Sequence, residues 1–92
     1  MTFKTYKEKA AALQAMTDKV AAIFGDDEGV KVEGHGGDVS DNFVTASCFD
    51  VTGTVINIED EGDIANLREA HEEYGNDFIA VADRYYRLCE QA

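Results

Sequence analysis

The sequence predicts an α+β fold: an N-terminal helix, a three-stranded antiparallel sheet, and one kinked or two C-terminal helices packed on one sheet face. Three observations predict it. Apolar residues recur at helical spacing before Gly25 and again after Asp63, while residues 30–35 and 43–59 alternate with a period of two. Asp50-Val51-Thr52-Gly53 lies between two alternating runs and has the chemistry of a tight turn. The 92 residues contain no proline and no Ser- or Gly-rich linker, so 1–92 reads as a single α+β domain.

The first helix is drawn through Phe3, Tyr6, Ala10, Leu13, Val20 and Phe24, with Met16 and Ile23 beside the stripe. Six alanines between Ala10 and Ala22 give it high propensity, and Gly25 is a natural stop. Lys4, Lys7, Glu8, Asp18 and Lys19 fall on its outer face. Val30 and Val32 then point one way while Lys31, Glu33 and His35 point the other, which describes a half-buried strand.

The hairpin is the most constrained segment. A type I turn ending in a left-handed Gly53 pairs Phe49 with Val55, Cys48 with Ile56, Ser47 with Asn57 and Ala46 with Ile58. That register gathers Val44, Ala46, Cys48, Ile56 and Ile58 on one face and Thr45, Ser47, Asn57 and Glu59 on the other. A one-residue slip would mix them. After Asp63 the stripe is Ile64, Leu67, His71, Tyr74, Phe78, Val81, Tyr85 and Leu88, with Asp60 or Asp63 as cap. Unbroken, such a helix would run about 42 Å. Gly75-Asn76-Asp77 offers both a stop and a new cap, so a break is expected there.

Charge is unevenly divided. Residues 1–25 carry a balance of +2 and residues 26–92 one of −13, giving the formal −11 of the chain. So acidic a domain repels polyanions, which argues against free nucleic acid as a ligand and for a cationic partner. The Ala-rich run to Phe24 is broken by Gln14, Asp18 and Lys19, and reads neither as a signal core nor as a membrane span. Cys48 and Cys89, 41 positions apart, make no metal-ligand spacing. No metal, no cofactor and a reducing compartment are expected.

Catalytic readings are weak. His35 lies near Asp38 and Asp41, but no nucleophile accompanies them in a recognisable motif. His71 reads as a core-edge residue and Cys48 as an inert core thiol. The loop from Gly34 to Asn42 lacks the Lys-Ser/Thr pair of a phosphate cradle, and its aspartates would repel one. Glu69, Glu72, Glu73 and Asp83 form an acidic ridge, and Asp26, Asp27 and Glu28 an acidic run. These acids either maintain solubility or mimic the charge of nucleic acid.

The sharper feature is the open sheet face. Phe43, Phe49 and Val55 stand there among Lys31, Glu33, His35, Thr45 and Asn57, an apolar patch with a polar rim. Tyr6 joins the two phenylalanines as a candidate anchor. Lys4, Lys7, Lys31 and Arg68 are candidates for phosphate contacts made from a docked pose.

Taken whole, the chain resembles a family of small phage-borne anti-CRISPR proteins, the eighth named family of inhibitors of the type I-F surveillance complex. The resemblance rests on the opening MTFKTYKEKAAALQAMTDKVAAIFGDDEGV, the loop GHGGDVSDNF and the closing EEYGNDFIAVADRYYRLCEQA. It spans essentially the whole chain and no short motif carries it. It implies a non-enzymatic inhibitor acting in the cytoplasm of the infected bacterial host. Such an inhibitor docks where the large, tail and backbone subunits meet beside the guide RNA, and hinders target DNA pairing. Two other readings stand beside it: an acidic adaptor or DNA-mimic regulator of a basic nucleic-acid-binding protein, and a small hydrolase using His35 and Asp38.

Overall fold

In a computed structural model the described residues are 5–25, 29–36 and 44–91. Their order is α1 (Tyr6–Phe24), β1 (Lys31–His35), β2 (Thr45–Phe49), β3 (Val55–Ile58), α2 (Glu61–Tyr74) and α3 (Phe78–Gln91). The strands form an antiparallel sheet in the order β1-β2-β3.

The hairpin takes the expected register, with Phe49 opposite Val55, Cys48 opposite Ile56, Ser47 opposite Asn57 and Ala46 opposite Ile58. The Asp50 carboxylate accepts from Thr52 N–H at 3.1 Å, and Gly53 N–H donates to Asp50 O at 3.2 Å. Gly53 has φ of 84°, a left-handed conformation that side chains other than glycine resist. Extending the register through β1 sets Lys31 against Phe49, Glu33 against Ser47 and His35 against Thr45. One face therefore carries Val32, Gly34, Ala46, Cys48, Ile56 and Ile58, and the helices cover it.

Helix α1 crosses that face above β1 and β2. It can sit close because Gly34 has no side chain. A Cβ there would stand 2.7 Å from Leu13 Cδ1 and 2.8 Å from Leu13 Cγ. The core joins Val20 and Phe24 of α1, Ala46, Cys48, Ile56 and Ile58 of the sheet, and Ile64, Leu67, Ala70, Phe78, Val81, Ala82 and Tyr85 of α2 and α3. Phe24 stacks on Phe78 at 5.6 Å, tying the end of α1 to the start of α3.

The break at Gly75 is present. Gly75 N–H donates to His71 O at 2.7 Å and ends α2; Asp77 restarts the chain by accepting from Ala80 N–H at 3.2 Å. Asp60 caps α2, accepting from Asp63 N–H at 2.8 Å, while Asp63 reaches back to Glu59 N–H at 2.9 Å. Together the two carboxylates satisfy two backbone donors at the start of α2.

Two helical stripes need correction. Tyr6 is 68% exposed and Ala10 is exposed, so the buried line of α1 begins at Lys9 and runs through Leu13 and Val20. Lys9 is only 3% exposed because its stem passes over Gly36. Tyr74, at the last turn of α2, is 49% exposed and lies outside the core, whereas Ala70 and Ala82 lie inside it.

Candidate interaction surface

The face of the sheet turned away from the helices presents Lys31, Glu33 and His35 from β1, Thr45, Ser47 and Phe49 from β2, and Val55 and Asn57 from β3. Lys31, Glu33, His35, Val55 and Asn57 are exposed, and Phe49 is half-buried between Lys31 and Val55. Ser47, at the centre, donates to Asn57 Oδ1 at 2.8 Å. The apolar patch with a polar rim is therefore real for Phe49 and Val55. Phe43 lies outside the described residues.

At the turn end of this face is a concavity of about 220 Å³, lined by Gly29, Lys31, Phe49, Asp50 and Val51. Val51 is 97% exposed at the tip. The sequence reading passed over Val51, although a residue at the second position of a type I turn has no core to enter. Lys31, Phe49 and Val51 thus line one lip, the kind of arrangement that receives a protruding partner side chain.

A second concavity of about 250 Å³ separates α1 from α2 and is lined by Lys19, Ala22, Ile23, Arg68, His71 and Glu72. Lys19 also pairs with Glu61 at the start of α2. His71 stands T-shaped on Phe24 with ring centroids 5.4 Å apart, and its Nε2 is buried with no hydrogen-bond partner among the described residues. Its core-edge reading is confirmed. Arg68 and Glu72 share this concavity, and the sequence did not bring Lys19 and His71 into their company because they come from separate elements.

The acidic ridge is only partly free. Glu69, Glu72 and Glu73 are exposed along α2, but Glu73 accepts from Arg84 Nε at 2.6 Å and Asp83 pairs with Arg87 at 3.2 Å. The Glu73 hydrogen bond holds the Arg84 guanidinium above its ordinary pKa, so it stays charged. Lys7 is exposed on α1, one position beyond Tyr6. Lys4, Asp26, Asp27 and Glu28 lie outside the described residues. Of the sequence candidates, the fold gathers Lys31, Glu33, His35 and Phe49 on one surface; Arg68, Glu69, Glu72 and Glu73 stay together on α2.

Cys48 is fully buried, and burial pushes its thiol up to about 12, so it is protonated and unreactive in the folded chain. Burial and the Cys89 thiol hold the Tyr85 phenol above its ordinary range. The described residues contain no group of three His, Cys, Asp or Glu side chains placed to hold a metal ion. Nor is any helix among them long and apolar enough to cross a membrane. No protein-family model, curated protein or solved structure matches the chain.

Proposed function

We infer that this protein is a non-enzymatic anti-CRISPR inhibitor. It binds the type I-F RNA-guided surveillance complex in the cytoplasm of an infected bacterium and hinders pairing of target DNA with the guide RNA. The reading joins the whole-chain resemblance to one observation: an acidic molecule leaves an apolar-centred sheet face, Phe49 and Val55 rimmed by Lys31, Glu33 and His35, open to a partner.

The physics runs in two stages. A machine that holds RNA and DNA is lined with Lys and Arg, and the exposed carboxylates of α2 steer the inhibitor to it. Phe49 and Val51 then supply the desolvated contacts that slow its departure. Lys31, Lys7 and Arg68 are exposed cations suited to phosphates of a guide already held by protein. No bond is made or broken. Inhibition is occupancy of a cationic cradle that the target strand needs.

Gel filtration of the protein mixed with purified type I-F complex tests this reading. Co-elution, with target DNA left unpaired, is expected. Separate elution and undisturbed pairing would refute it, and capture of other basic DNA-binding proteins instead would favour the acidic adaptor.

A further inference from the structure

The two edges of the sheet differ. Along β3, Tyr86 donates to Val55 O at 3.0 Å and accepts from Asn57 N–H at 3.3 Å, Tyr85 donates to Asn57 O at 2.7 Å, and Asp63 accepts from Glu59 N–H. Three side chains thus occupy the outward row of backbone groups. Neighbouring residues of a strand alternate in the direction of their N–H and C=O, so Ile56 and Ile58 face Cys48 and Ala46. Thr45, Ser47 and Phe49 then face β1, and Val32 and Gly34 turn their backbone groups outward. The hydrogen bonds among the described residues include none to that outer row, and Gly34 is exposed. Among the described residues, one edge is closed and the other is bare.

A bare edge pairs with another strand, and the side chains of β1 select which one. An antiparallel copy placed about a twofold axis at Val32 sets Lys31 opposite Glu33 of the second copy, twice, on the open face. The same register sets Val32 against Val32 and Val30 against Gly34 on the apolar face. Moving the axis to Glu33 would oppose two carboxylates directly.

We propose that β1 is a homodimerisation edge, joining two copies about Val32 into one six-stranded sheet held in register by reciprocal Lys31–Glu33 pairs. The charge of −11 on each copy opposes the association, so the dimer forms as a concentration-dependent equilibrium.

Sedimentation velocity of the purified protein over a concentration series tests it. Wild type shifts from monomer to dimer. Glu33→Lys, which faces lysine with lysine, weakens the association by about tenfold or more. Combining Lys31→Glu with Glu33→Lys restores it. Val32→Pro removes the central outward N–H and yields monomer, with its circular dichroism reporting that the fold survives; the charge swap decides the matter if it does not. A wild type that stays monomeric throughout would overturn the proposal, as would a dimer indifferent to Glu33→Lys or a double swap that fails to rescue. The measurement needs no other macromolecule, so its failure leaves the inhibitor reading standing.

Discussion

The Tyr86 hydroxyl donates to the Val55 carbonyl across 3.0 Å, fastening α3 to the outer edge of β3. Tyr85 is its neighbour, with ring centroids 4.9 Å apart, and reaches the next outward-facing carbonyl, that of Asn57. Two consecutive helix residues thereby replace a missing fourth strand. Tyr85→Phe should cost about 1–2 kcal/mol, because it leaves a shielded carbonyl unpaired. Tyr86→Phe, at a more exposed position, should cost about 0.5–1 kcal/mol. Urea unfolding of both variants measures the difference. Equal and negligible losses would show that the edge is held by packing alone.

Stability should fall at alkaline pH, beginning with Cys48. Its thiol titrates at about 12 in the folded chain against an ordinary 9.0. The folded state therefore keeps a proton that the unfolded chain gives up. The stabilisation is complete below pH 9 and declines as pH rises toward 12, by about 1.4 kcal/mol for each pH unit well inside that window. Tyr85, raised in the same direction, adds its loss above its ordinary 10.0. Unfolding free energies measured from pH 8 to 11 should show this slope, and Cys48→Ala should flatten its first part.

At Gly34, α1 lies close against the sheet. Gly34→Ala would drive a methyl group into Leu13, whose Cγ would lie 2.8 Å away, and α1 would have to lift. A loss of about 1–3 kcal/mol is expected in thermal or urea unfolding. Pairing it with Leu13→Ala should recover part of that loss, because the clash and its partner disappear together.

The exposed carboxylates of α2 should act on the rate of association more than on its duration. Glu69→Gln with Glu72→Gln should slow binding to the surveillance complex several-fold and soften its salt dependence, with little change in dissociation. Phe49→Ala should do the reverse and speed dissociation. Surface plasmon resonance separates the two effects.

The hairpin and the break at Gly75 were legible because each is a local matter. Period-two alternation, Asp50-Val51-Thr52-Gly53 and Gly75-Asn76-Asp77 carry their geometry in adjacent residues. The open face followed from the register, so Lys31, Glu33, His35 and Phe49 could be grouped from sequence. The ends of helices were harder. Tyr6 and Val20 share a helical face, yet only Val20 is buried in the core while Tyr6 is 68% exposed. Lys9 is buried because Gly36, distant in sequence, leaves room for its stem. The Arg84–Glu73 pairing that withdraws one acid from the ridge, and the tyrosine clamp on β3, depend on how α3 folds back. No spacing rule encodes that angle.

Under the proposed inhibitor function, binding alone blocks the guide from its target. The most direct measurement is strand pairing by purified type I-F complex with a fluorescent target duplex, titrated with this protein. Added before the duplex, it should abolish pairing stoichiometrically, without any change in the mass of the guide, the target or the complex's subunits. Pairing that proceeds undiminished at saturating protein, or a block that grows catalytically with time at trace amounts, would rule out inhibition by occupancy.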